Sequence, residues 1–273
     1  MKYVIISVIA LAAVFGLCFL TAGLIRRRIK RKPPMWAHIL ICTGISLAVI
    51  IIAAGIFISI TYKADDDAIA VLSDTKGASV TRIDGGYMLD GERSDTAIVF
   101  YPGARVETEA YLPLLKQIAD GGTDCFILDM PMHLAILDIN AADRIISSYG
   151  YDKWVTAGHS MGGISAAEYA AHHSDTVDAV ILLGAYANSK LSDNISLYSF
   201  YGTEDHVLEH DDYERAKGNF PAGYEEFIIE GGNHAQFGNY GEQATDGKAA
   251  ISREEQQKFT ADKILSLLAA EKT

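Results

Sequence analysis

Read for hydropathy alone, the chain divides into a long apolar leading part and an alternating remainder. Residues 3–25 and 36–60 are apolar runs of 23 and 25 residues, with no Asp, Glu, Lys or Arg inside. About 20 such residues cross a bilayer as a helix, so both runs predict transmembrane helices. Trp36 and Tyr62 bracket the second run, where interfacial aromatics sit. After residue 63 the apolar runs shorten to strand length. Opening strands are predicted over 68–73, Ser79–Ile83 and 87–89, broken by Asp84-Gly85-Gly86. Thr96–Tyr101 is continuously apolar, as in a strand buried on both faces. Next come an amphipathic helix over 107–119, strand Asp124–Leu128 and a helix over 139–148. A strand over 153–157 and an alanine-rich helix over 164–172 follow. Strands Ala179–Leu183, 195–200 and 226–229 complete the set, with a helix near 210–217 between the last two. Ser252-Arg253-Glu254-Glu255 reads as a capping box that opens a final helix. Strands alternating with helices at this spacing predict an α/β fold built on a doubly wound, mostly parallel sheet.

Charge sharpens the division. Residues 1–63 hold eight of the 23 Lys+Arg and none of the 35 Asp+Glu. Six of those cations lie in 26–35, between the apolar runs, and the positive-inside rule keeps such a loop cytoplasmic. The expected organisation is a transmembrane hairpin over 1–63, with helices about 3–25 and 36–60, and a globular domain over 64–273 outside the cytoplasm. A cleaved signal peptide over 1–25 fits less well, because its cations would precede the apolar run. The globular part sets 15 cations against 35 carboxylates, a net −20. That surface speaks against nucleic acid and anionic lipid as partners. Cys18 and Cys42 fall in the apolar runs and Cys125 in a predicted strand, which gives neither a disulfide framework nor a metal-ligand spacing.

The chemistry centres on Gly158-His159-Ser160-Met161-Gly162, a G-x-S-x-G set between a predicted strand and a predicted helix. In that context the motif is a nucleophile elbow, with glycines where neighbouring side chains would collide. The following helix aims its N-terminal N–H groups at the space above the serine oxygen. The competing reading is a glycine-rich turn before a helix; the strand, the helix and the extra Gly163 favour the nucleophile.

Serine attacks only when a base takes its proton, and the base needs an acid to orient it. The strand over 195–200 leads into Gly202-Thr203-Glu204-Asp205, and the last strand leads into Gly231-Gly232-Asn233-His234. With GHSMGG, the G-x-x-D loop and the GGNH loop in this order, residues 66–270 resemble the α/β-hydrolase superfamily. More loosely, they are similar to its lid-poor esterase branch, the dienelactone hydrolases. The resemblance implies a triad of Ser160, Asp205 and His234, with Glu204 as the competing carboxylate. His159 beside the nucleophile packs or lines the pocket, His172, His173 and His210 are surface helix residues, and His133 and His206 are loop residues.

The oxyanion hole needs two backbone donors. One is the N–H of Met161; the other comes from the loop after Thr96–Tyr101, which reads Pro102-Gly103-Ala104-Arg105. Pro102 has no N–H, so Gly103 or Ala104 is the candidate. His159, Arg105 and Met130 are candidate pocket residues. Met130, Met132 and Met161 are also candidates for a soft apolar wall, although methionines filling the core is the commoner case. The ten residues 185–194 are too few for a cap domain, which implies an open, shallow site. The expectation is a membrane-anchored serine hydrolase acting on short-chain esters of small molecules or envelope polymers, without metal or organic cofactor. Its rivals are an acyltransferase to an envelope acceptor, a membrane lipase, and a non-catalytic receptor or scaffold on the same fold.

Overall fold

The computed structural model describes residues 34–91 and 94–270, with Gly16, Leu20, Thr21 and Gly23 before them. The first predicted span, 3–25, and the basic stretch 26–33 therefore lie outside the described residues or touch them only at isolated positions. The chain forms two compact units, Met1–Ile60 and Thr61–Thr273. In the first, helix α1 covers Met35–Ser59. Its stretch Met35–Ile52 has a mean hydropathy of 2.3, and Leu40, Ile51 and Ile52 are exposed. By length and composition this one helix fits a membrane span, and equally the apolar part of a signal sequence.

The second unit opens differently from the strand expected over 68–73. Those residues form helix α2, Asp66–Ala70, and a 3₁₀ turn, Val71–Ser73. The reason is local: Asp65 caps the helix by accepting the Ala68 N–H at 3.0 Å, and Asp66 and Asp67 sit in its first turn. A cap and a favourable helix-end charge outweigh the strand preference of a short apolar run.

Among the described residues eight strands form one sheet: β1 Ser79–Ile83, β2 Gly86–Asp90, β3 Thr96–Tyr101, β4 Asp124–Leu128, β5 Lys153–His159, β6 Ala179–Leu183, β7 Ser196–Gly202 and β8 Glu225–Ile229. Their order is β1-β2-β4-β3-β5-β6-β7-β8. The first two pairings, β1 with β2 and β2 with β4, are antiparallel. All the others are parallel, with β5 between β3 and β6. Helices α3 Leu112–Asp120, α4 Ala142–Ile146, α5 Met161–His172, α6 His210–Ala216 and α7 Arg253–Ala270 connect and follow the strands. Two of them are shorter than predicted, because their first turns over 108–111 and 139–141 are 3₁₀.

Along β3 the side chains alternate between two cores. Ile98 and Phe100 join Leu114 and Ile118 of α3 and Ile264 of α7 on one face. Ala97, Val99 and Tyr101 join Phe126, Ala166 and Tyr169 on the other. Burial on both faces is why the strand reads as one unbroken apolar run. The capping box is formed in both directions: Ser252 Oγ accepts from the Glu255 N–H at 3.2 Å and Glu255 accepts from the Ser252 N–H at 2.8 Å.

Candidate active site

The carboxyl ends of β3, β5, β6, β7 and β8 carry the candidate residues. Ser160 follows β5 directly, with φ 55° and ψ −125°, in a region that non-glycine residues enter only when the surroundings compel it. Two backbone bonds compel it: the Ser160 N–H donates to Leu183 O at 2.9 Å, and Ser160 O accepts from the Ile164 N–H at 3.1 Å. A Cβ at Gly162 would collide with the carbonyls of Tyr101 and Pro102, so the elbow packs on the end of β3 only with glycine there. Ser160 is half-buried, and among the described residues its Oγ makes no hydrogen bond.

Asp205 and His234 meet beyond the ends of β7 and β8. The Asp205 side chain is wholly buried. Its Oδ1 accepts from the N–H groups of Val207 at 3.0 Å and Leu208 at 2.8 Å, and its Oδ2 lies 2.8 Å from His234 Nδ1. With every buried acceptor satisfied, the carboxylate is held in one orientation. Glu204 is half-buried, and among the described residues its side chain hydrogen-bonds only with Thr203 Oγ1, at 3.5 Å. The structure thus brings Asp205, and not Glu204, to the histidine.

Supporting residues absent from the sequence reading hold this pair. Gly184 after β6 has φ 54°, and a Cβ there would lie 2.8 Å from His234 Nδ1 and 3.0 Å from Asp205 Oδ2. Gln256 of α7, fully buried, clamps the histidine loop: its Oε1 accepts the Asn233 N–H at 2.9 Å and its Nε2 donates to Asn233 O at 2.8 Å. A glycine closing a strand and a glutamine in a helix are common, so only a glutamine on the buried face of α7 hinted at either.

A second hydrogen-bond chain ties the β3 loop to the elbow. The Gly103 N–H donates to Tyr111 Oη at 3.0 Å, and that oxygen lies 2.9 Å from His159 Nδ1. Tyr111 Oη thus joins the Gly103 N–H to the His159 ring, whose other nitrogen is Nε2. That Nε2 is buried and faces the His234 backbone without meeting hydrogen-bond geometry. Burial, and next the nearby His234, lower the His159 pKa well below the usual range, so the ring stays neutral. The His159 and His234 rings lie 4.4 Å apart. Gly103 is thereby spoken for as a donor, whereas the N–H of half-buried Ala104 has no partner among the described residues.

Of the other pocket candidates, Met130 is buried in the core cluster containing Tyr101 and Phe126. Met132 is 62% exposed. Arg105, with φ 61°, sets its guanidinium 5.7 Å from the Tyr62 ring centre and donates its N–H to His133 O at 2.7 Å. The connection from β6 to β7 contains no helix. Among the described residues no group of three or more His, Cys, Asp or Glu could hold a metal ion.

Comparison with known proteins agrees with this architecture. A family model described as the alpha/beta hydrolase family matches residues 97–258. A protein of Mycobacterium phage D29, provisionally named a non-heme haloperoxidase, is 30% identical over 110 residues. That alignment covers 37% of this chain and 40% of the phage protein. Among solved structures, a mutant of the esterase E40 superposes with a TM-score of 0.54 at 14% identity, over 74% of this chain and 88% of that one. A serine hydrolase of carbazole degradation, the CarC enzyme, gives 0.52 at 13% identity, over 71% and 100%. Est1E from Butyrivibrio proteoclasticus with bound ferulic acid gives 0.51 at 13%, over 72% and 98%. At these identities the likeness is one of fold.

Proposed function

Because the chain belongs to the alpha/beta hydrolase family, we propose that it is a serine esterase anchored in a membrane, with Ser160, His234 and Asp205 as its triad. The observation that carries this reading is the buried Asp205–His234 pair, whose imidazole packs on His159 next to a serine on a strained elbow. In the reaction His234 Nε2 takes the Ser160 proton as Oγ bonds to the ester carbonyl carbon. The oxyanion rests on the N–H groups of Met161 and Ala104. The imidazolium then returns its proton to the leaving alcohol, and the same histidine activates the water that releases the acid. A donor in such a hole is worth about 2.7–4 kcal/mol of barrier. Among the described residues Ser160 Oγ has no hydrogen-bond partner; catalytic hydrogen bonds commonly tighten only in the complex.

The anchor is the predicted hairpin of 3–25 and 36–60, with the basic loop cytoplasmic and the domain over 64–273 outside. One labelling experiment tests nucleophile and topology together. A membrane-impermeant fluorophosphonate probe is expected to label intact cells, and to lose the label with Ser160→Ala. Labelling only after lysis would place the domain inside; no Ser160-dependent label in either state would remove the nucleophile.

The absence of a helix between β6 and β7 supports a shallow acyl site. A long chain would need extensive buried area, at about 25 cal/mol per Å², to bind well. kcat/KM measured from acetyl to palmitoyl esters of one alcohol is expected to peak at short chains, and a maximum at palmitoyl would make the protein a lipase.

Tyr111 is a positioning residue in this scheme, since it holds Gly103 so that Ala104 presents its N–H. Tyr111→Phe strands a buried N–H, a loss of about 1–3 kcal/mol. The expected result is a fall in kcat of about tenfold or more at nearly unchanged KM. An unchanged kcat would take Tyr111 out of the oxyanion loop's support.

A further inference from the structure

The loop 130–137 reads Met130-Pro131-Met132-His133-Leu134-Ala135-Ile136-Leu137. It has no carboxylate, although it is flanked by Asp129 and Asp138 in a domain carrying all 35 of the chain's acidic residues. Met132, Ile136 and Leu137 are 62%, 56% and 54% exposed. Single exposed apolar residues are ordinary, but three from one loop on so acidic a surface are not.

The loop is built to present them. Met132 and His133 have φ of 54° and 53°, which a non-glycine chain adopts only when packing holds it. Two observations supply the hold: Ala135 is fully buried, and His133 O accepts the Arg105 N–H at 2.7 Å. The turn Ala135–Leu137 packs on α5, the helix that begins right after Ser160. The loop therefore lies against Arg105, next to the proposed oxyanion donors, and against the helix that follows Ser160.

A third segment belongs to the same place. The Tyr62 N–H donates to Arg105 O at 2.7 Å, and Tyr62 O accepts from the Glu107 N–H at 3.0 Å. Main-chain hydrogen bonds thus link residue 62, the oxyanion loop and loop 130–137 in series. Only Ile60 and Thr61 separate Tyr62 from Ser59, the last residue of α1.

We propose that Met132, Ile136 and Leu137 insert into the headgroup–acyl boundary of the bilayer that α1 enters, and hold the mouth of the Ser160 site at the lipid surface. The substrates this favours are amphiphilic esters resident in that surface. The inference rests on reading α1 as a membrane anchor. A domain joined to an anchoring helix through only two residues meets lipid at high effective concentration, without a separate association step. Met, Ile and Leu suit that boundary, and insertion by apolar contact needs no cationic patch on an acidic domain.

The test uses the full chain, one copy per nanodisc of phosphatidylcholine, with Cys18, Cys42 and Cys125 replaced by alanine. An environment-sensitive fluorophore is attached at Ile136→Cys, at Ile51→Cys within α1, or at Lys258→Cys on α7. Spin-labelled phosphatidylcholine is expected to quench the labels at 136 and 51 and to spare that at 258. Quenching at 51 alone would overturn the docking while leaving the anchor. Quenching at neither 51 nor 136 would overturn the anchor and the docking with it. A label at 136 that is shielded from water yet unquenched would mean that protein covers the loop, which also overturns the proposal. In the same discs, Ile136→Ser/Leu137→Ser is expected to slow turnover of a bilayer-dissolved ester about tenfold. Turnover of a water-soluble acetate ester is expected to stay as it was, and equal loss on both would overturn the proposal.

Discussion

Ser160→Ala is expected to cut ester turnover by a factor on the order of 10⁴ or more, with His234→Ala equally severe and the double variant hardly worse than either. The lack of additivity follows from the chemistry. The histidine matters only as the base for the serine, so removing the second partner removes nothing that still functions. The two variants are expected to part company in stability. Among the described residues Ser160 Oγ has no hydrogen bond to lose, and Ser160→Ala is expected to change unfolding free energy by no more than about 0.5 kcal/mol. His234→Ala leaves Asp205 Oδ2 buried without its donor, at about 1–3 kcal/mol or more. Steady-state rates with thermal melts on all three variants check both halves. Substantial turnover by Ser160→Ala would move the nucleophile elsewhere.

Asp205→Asn is expected to lower kcat by a factor on the order of 10⁴, while Glu204→Gln stays close to the parent. The direction comes from the pattern of donors around the carboxylate. Two backbone N–H groups, of Val207 and Leu208, point at one oxygen. An asparagine must turn its carbonyl oxygen toward them, and its NH₂ then faces His234 Nδ1. Two donors cannot share that 2.8 Å gap, so the ring takes the tautomer protonated on Nε2. The nitrogen that must accept the serine proton is then already occupied. Among the described residues Glu204 has no such bond, its side chain accepting only from Thr203 Oγ1 at 3.5 Å. A dead Glu204→Gln beside an active Asp205→Asn would reverse the assignment.

How much of this was legible beforehand depends on the range of the interaction concerned. The elbow was readable because its needs are local: a strand end, a tight turn with small neighbours, and a helix start lie within a dozen residues. The central strands were readable because burial on both faces leaves an unbroken apolar run, as in β3 and β6. The capping box at Ser252 and Glu255 was readable for the same local reason. Residues 68–73 were misread because a six-residue apolar segment carries a weak periodicity signal, and the deciding group, Asp65, stands outside it.

What the tertiary structure alone decided lies across gaps in the chain. Asp205 and His234 are 29 residues apart and share one hydrogen bond, which is what separates Asp205 from its neighbour Glu204. Gly103 and Ala104 look equally able to donate until Tyr111, eight residues on, takes the Gly103 N–H and bonds the ring of His159, 48 residues further. Gly184 and Gln256 acquire a role only when β6 and α7 arrive beside the histidine loop. The sequence by itself determined the strand order along the chain and the residue types available at each strand end, because propensity, patterning and turn chemistry act over a few residues. The selection among those residues belonged to the folded structure, because directed hydrogen bonds and the exclusion of a Cβ act between segments that only the packed sheet brings within 3 Å of one another.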